Sequence, residues 1–116
     1  MNADELYDAA SRMMFPHREP GDVDEAEAER LYRLAAEAGD ARALERVGLF
    51  AEKRGDLTTA ERFYRQASAE GLALADFRIG RLYEDFLGDR NTARQWYKKA
   101  SRAGEWRATK RLKNMR

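Results

Sequence analysis

Residues 55–89 read GDLTTAERFYRQASAEGLALADFRIGRLYEDFLGD, and the phrase comes round again on either side of itself. Downstream, residues 88–104 read GDRNTARQWYKKASRAG. Upstream, residues 21–39 read GDVDEAEAERLYRLAAEAG, with two extra residues near the start. Tyr32, Tyr64 and Tyr97 are 32 and 33 residues apart, and Ala35, Ala67, Ala100 and Gly39, Gly71, Gly104 keep the same intervals. The segments between also match. Ala43, Ala75 and Ala108 correspond, as do Val47, Ile79 and Leu112, while Gly48 and Gly80 give way to Lys113 in the last unit. A fixed period of this size is the signature of stacked supersecondary units.

Each half of the phrase has helical spacing. Ala60, Phe63, Tyr64 and Ala67 fall at i, i+3, i+4 and i+7, one apolar stripe on one helix face. Asp56 stands where an N-cap accepts orphan amides, and Gly71 stands just past the helix end, where a left-handed residue costs least. Ala75, Ile79, Leu82 and Tyr83 mark the second stripe, closed by Gly88. The pattern predicts seven helices, near residues 3–15, 23–38, 41–54, 57–70, 73–86, 90–103 and 105–115. They form one domain over 1–116: a half repeat at 3–15, then units at 21–54, 55–87 and 88–116 counted from each Gly-Asp turn. The expected class is an all-α solenoid of antiparallel helix pairs. A lone pair cannot bury its stripe, but stacked pairs can.

The quoted phrase resembles a tetratricopeptide repeat in its Gly-Asp turn, Ala60, Tyr64, Ala67 and the Ile79-Gly80 pair with Tyr83. Gly71, ending an alanine-rich helix, is also similar to the related Sel-one-like repeat. The spacings of 32 and 33 fall just short of the ~34 typical of tetratricopeptides. The inter-repeat proline is replaced by glycine, and the final segment EWRATKRLKNMR is far more polar than its counterparts, as a solubilising cap would be. The resemblance implies a right-handed superhelix whose concave groove, lined by the first helix of each unit, holds a partner's peptide or helix. It places in that groove Tyr7 and Ser11, then Arg42, Glu45, Leu49 and Glu52, then Leu74, Phe77, Arg81 and Glu84, then Arg107 and Lys110. Phe77 and Leu49 would act as apolar anchors, and Arg42, Arg81, Arg107 and Lys110 would meet carboxylates. The ordinary alternative is a solvated helical face.

Charge is unevenly distributed. The net is +1, yet residues 1–29 sum to −7, residues 30–93 to 0 and residues 94–116 to +8. The basic residues Arg94, Lys98, Lys99, Arg102, Lys110, Arg111 and Lys113 form a patch that suits phosphates, an acidic protein, or the acidic end of another copy packed head to tail. Trp96 shares the register of Phe63 and Leu31, a core position, whereas Trp106 shares that of Ala41 and Ala73 and is expected to be partly exposed.

Catalytic chemistry finds no footing. There is no cysteine, and the one histidine, His17, sits in a proline-flanked stretch without a partner. Asp22, Asp24, Glu25, Glu27 and Glu29 lack the spacing of a calcium loop and suit the start of a helix. Glu84 and Asp85, being adjacent, are expected to point apart. No phosphate loop, dinucleotide fingerprint, nucleophile elbow or zincin helix is present. No enzyme, metal or cofactor is expected. The acid-bearing opening MNADELYDAASRMM is unlike a signal peptide, and no run reaches the ~20 apolar residues of a membrane span. A cytoplasmic interaction scaffold is the expected role, with nucleic-acid association through the basic end, or a self-assembling structural module, as alternatives.

Overall fold

A computed structural model describes residues 1–14 and 24–115. His17, both prolines and Asp22 lie outside them. The described residues hold seven helices and no strand: α1 (Ala3–Met14), α2 (Glu25–Glu37), α3 (Ala41–Lys53), α4 (Leu57–Ala69), α5 (Ala73–Arg81), α6 (Arg90–Arg102) and α7 (Trp106–Asn114). A π-helical turn, Leu82–Phe86, extends α5. Each helix packs on its predecessor, most extensively within the pairs α1–α2, α3–α4 and α5–α6, and the stack measures 43 × 29 × 24 Å. This is an all-α helical repeat solenoid.

Two residues suffice to turn most corners. At Gly55 (φ +83°) the glycine amide bonds Glu52 O at 2.9 Å and the next amide, Asp56, bonds Ala51 O at 2.9 Å. That pair of bonds closes the carbonyl end of α3, and it needs a left-handed residue. The Asp56 carboxylate then accepts from the Thr59 amide at 3.2 Å and caps α4. Asp40, Asp89 and Glu105 cap α3, α6 and α7 in the same way. A helix stop and a helix start share one dipeptide, so neighbouring helices are forced antiparallel.

The core is a ladder of tyrosines set among alanines. Tyr32, Tyr64 and Tyr97 are buried, and Ala28, Ala35, Ala60, Ala67, Ala93 and Ala100 on the same helices are fully covered. Burying a side chain of this size stabilises by roughly 3 kcal/mol. The rings fit because the facing helix has no side chain where they lie. A Cβ on Gly48 would sit 2.6 Å from Tyr64 Cδ1, and one on Gly80 would sit 2.6 Å from Tyr97 Cδ1. Lys113 occupies the same register in α7, where no further tyrosine helix packs among the described residues.

The two repeat intervals differ by one residue, and the structure shows where it goes. Gly48 to Gly55 is a step of seven, Gly80 to Gly88 a step of eight. Helix α5 takes up the extra residue as the π turn, with Leu87 N bonding Leu82 O at 3.1 Å. A single insertion absorbed as a π turn leaves the helix on either side in register. It also pushes Phe86 and Leu87 into solvent, 54% and 53% exposed.

Candidate partner-binding surface

Helices α1, α3, α5 and α7 lie side by side, and their shared face carries the groove residues expected from the sequence. Most of its charges are spent on neighbouring helices. Glu45, 1% exposed, accepts from Arg78 Nε at 2.9 Å. Glu52 accepts from the Tyr64 hydroxyl at 2.7 Å and from Arg81 at 2.6 Å. Glu84 accepts from the Tyr97 hydroxyl at 2.8 Å and from Arg111 at 2.5 Å. In both triads a tyrosine of one helix, a glutamate of the helix before and an arginine of the helix after are tied together. Burial first, and then the adjacent carboxylate, raises the Tyr64 and Tyr97 phenols well above their ordinary range. They stay protonated donors at any physiological pH.

Glu84 and Asp85, expected to diverge, both reach Arg111, Asp85 at 3.3 Å. The π turn supplies the geometry that a regular helix lacks. Burial disfavours the Arg111 charge, but bonds to Asp85 and Glu84 outweigh it and raise its pKa.

The other expected groove residues sort into three groups. Tyr7 stacks edge-on against Tyr32 at 5.5 Å and lies under the Arg42 guanidinium, 4.0 Å from its ring centre. Arg42 is itself held by Asp40 at 2.7 Å and Asp4 at 2.9 Å, and Ser11 Oγ is 3.0 Å from the Tyr32 hydroxyl. Leu49 and Leu74 are half-buried against the core. Phe77, expected to be an apolar anchor of the groove, is 6% exposed and packs on Tyr97 at 5.8 Å. It belongs to the interior because the α6 ring it meets is itself buried.

One opening lies at the end of this face. A cleft of about 260 Å³ between α5 and α7 is lined by Phe77, Trp106, Arg107, Lys110, Arg111 and Asn114. Trp106 is 62% exposed, as its register foretold, and the Arg107 guanidinium lies 4.9 Å from its ring centre while bonding Glu105 at 2.8 Å. Lys110 is exposed and has no ion-pair partner among the described residues. An exposed indole between a stacked guanidinium and an ammonium presents both apolar area and positive charge.

The basic patch is not one surface. Arg94, Lys98 and Arg102 run along the outside of α6, four residues and ~6 Å apart. Lys99 turns the other way, toward Asp76 at 3.4 Å and Ser68 at 3.0 Å, and lies over Trp96. Lys110, Arg111 and Lys113 sit on α7, with Arg111 committed to Glu84 and Asp85. Trp96 is half-buried against the core, in line with its register. Of the acidic run, Asp24 caps α2 through the Glu27 amide at 3.0 Å, Glu25 pairs with Lys53 and Glu29 with Arg54. No helix of the described residues is long and apolar enough to cross a membrane, and no group of three or more potential metal ligands occurs among them. Sequence reasoning missed Phe86 and Leu87; the eight-residue step before Gly88 was the signal for them.

No family model matches this sequence, and no curated protein does. A solved structure does: a Sel1 repeat protein from Oxalobacter formigenes, 32% identical, over 97% of this chain and 88% of that one, with a TM-score of 0.71. The likeness spans the whole stack rather than one helix pair, and at this identity it joins the tyrosine-and-glycine repeat to a known lineage: the chain belongs to the Sel1-like (Sel-one-like) repeat family.

Proposed function

We propose that this chain is an interaction scaffold that holds an acidic segment of a partner protein in the cleft between α5 and α7. Sel1 repeats generally mediate protein–protein contacts. The observation that carries the finer reading is the contrast along one face. From Glu45 to Glu84 the charges are neutralised within the stack, whereas Trp106 and Lys110 stand open at its end, beside an Arg107 held by Glu105. The paired residues are scaffold: they fix the spacing of α3, α5 and α7. The open residues supply recognition, the indole by contact area and Lys110 by carboxylate pairing. The role is binding without catalysis, and no cofactor enters it.

The test is a titration of synthetic acidic peptides followed by tryptophan fluorescence, since Trp106 is the exposed indole. Trp106→Ala with Lys110→Gln should weaken binding tenfold or more with helix content unchanged. Affinity capture from the native host, repeated with the double variant, identifies the partner. Equal capture by both forms sinks the cleft. Tight oligonucleotide binding whose logarithm falls steeply with salt, lost on neutralising Lys98 and Arg102, would favour the nucleic-acid reading instead.

A further inference from the structure

We propose that the opening between α1 and α3 binds a small monocarboxylate with a short apolar tail, its carboxylate standing where the later repeats place a glutamate and the first repeat places Met14. Three observations meet there: an internal template, a buried nitrogen without a partner, and a cavity beside it.

The template comes from aligning the units. Four residues after the small residue that faces each buried tyrosine, Ala10, Gly48 and Gly80, the chain reads Met14, Glu52 and Glu84. Tyr7 on Tyr32 and Phe77 on Tyr97, each three residues before its small residue, fix the alignment. In the later units the glutamate accepts from the tyrosine hydroxyl, at 2.7 Å from Tyr64 and 2.8 Å from Tyr97. It also accepts from an arginine of the following helix, Arg81 at 2.6 Å or Arg111 at 2.5 Å. Arg46 shares the register of Arg78 and Arg111. The first unit therefore keeps the tyrosine and the arginine of the Tyr97–Glu84–Arg111 triad and has a thioether in place of the acid.

Both remaining members register the change. The Tyr32 hydroxyl turns to Ser11 Oγ at 3.0 Å. Arg46 Nε is buried 3.5 Å from Glu45 Oε1 and hydrogen-bonds nothing among the described residues. Glu45 is turned to Arg78, at 2.9 Å. A buried donor left without an acceptor is costly, so a carboxylate that reaches the guanidinium is favoured.

The space for it is a cavity of about 130 Å³ lined by Met14, Tyr32, Arg46, Leu49, Phe50 and Lys53. Met14, Leu49 and Phe50 are half-buried and give an apolar wall. The Arg46 side chain keeps 33% of its surface exposed, whereas Lys53 at the rim is bonded to Glu25 at 2.7 Å. One cation against an apolar wall matches one negative charge on an apolar body, not a run of acids. A guanidinium can offer a carboxylate two parallel N–H bonds, and the tail leaves water against the wall. This site does not depend on the α5–α7 cleft.

A hexanoate titration, followed by nuclear magnetic resonance at the Arg46 Nε–H and the Met14 methyl, tests it. Both signals should shift saturably, and acetate and hexanol, which lack the tail and the charge, should each bind about tenfold more weakly or worse. Arg46→Gln should weaken hexanoate binding about tenfold or more. Met14→Glu supplies the acid from within and should abolish it, read at Arg46, while Met14→Leu should keep it. Circular dichroism should show the same helix content in all three. Trp106→Ala with Lys110→Gln should bind hexanoate as the parent does, so failure here and failure of the α5–α7 cleft are distinguishable. The absence of a saturable shift overturns the proposal, as does a Met14→Glu protein that binds like the parent. A peptide with one glutamate beside a leucine that binds about tenfold tighter than hexanoate would overturn the small-molecule assignment in favour of a partner chain.

Discussion

Gly80→Ala puts one methyl group into the tyrosine ladder. Helix propensity alone favours alanine over glycine by ~1 kcal/mol, so on an unpacked helix face the change stabilises. Here the new Cβ would lie 2.6 Å from Tyr97 Cδ1 and 3.2 Å from the Ala93 carbonyl oxygen. The ring cannot retreat easily, because Tyr97 is fully buried and its hydroxyl is tied to Glu84 at 2.8 Å. The carbonyl belongs to helix backbone and gives little. Overpacking of this kind costs ~1–3 kcal/mol, and with contacts on two sides the upper part of that range applies. The propensity gain offsets about a third, leaving a net loss of ~1–2 kcal/mol and a Tm lower by roughly 4–8 °C. Thermal and urea unfolding followed by circular dichroism measure it. Lys113→Ala is the control: it has the same register with no tyrosine packed on it among the described residues, and it should stay within ~0.5 kcal/mol of the parent. A Gly80→Ala protein as stable as the parent, or more so, would show that glycine is not there to admit the ring.

Deleting Leu87 should return the second interval to 32 residues, convert the π turn to ordinary helix and leave Tm within a few degrees, whereas deleting Val47 from α3 should unfold the chain. Glu45→Ala should destabilise by ~3 kcal/mol, since Arg78 keeps its half-buried charge without a partner; replacing both residues with apolar ones should cost much less in the same urea titration. The hydrogen bond to Arg42, opposed by burial and helped by the Arg42 amide, holds Asp40 below the usual carboxylate range. Its contribution is therefore complete above the unfolded value near ~3.9 and is lost as pH falls through the lower native one. Asp40→Asn should flatten unfolding free energy against pH in that acid window and leave the slope near neutrality alone.

The helices and their order follow from local sequence. Alanines and tyrosines at 3.6-residue spacing, with glycine and aspartate at each corner, encode their structure locally: a left-handed glycine ends one helix and its neighbour caps the next, with no help from distant contacts. The interior was equally legible at Tyr32, Tyr64 and Tyr97, because a repeat must present the same residues to the same surroundings. The sequence also contained the extra residue before Gly88, but only the packing on both sides of α5 forced it into a π turn and sent Glu84 and Asp85 to one arginine. The fate of the groove charges was decided by tertiary structure alone. Glu45 and Arg78 are 33 residues apart, about one repeat, and whether such a pair faces solvent or each other depends on how closely α3 and α5 approach. Gly48 and Gly80 bring α3 onto α4 and α5 onto α6 by admitting the Tyr64 and Tyr97 rings, and the packing of α4 on α5 then carries α3 to α5. Phe77 became core for the same reason, and Trp106 and Lys110 of α7 are left exposed, with no further ring among the described residues to cover them.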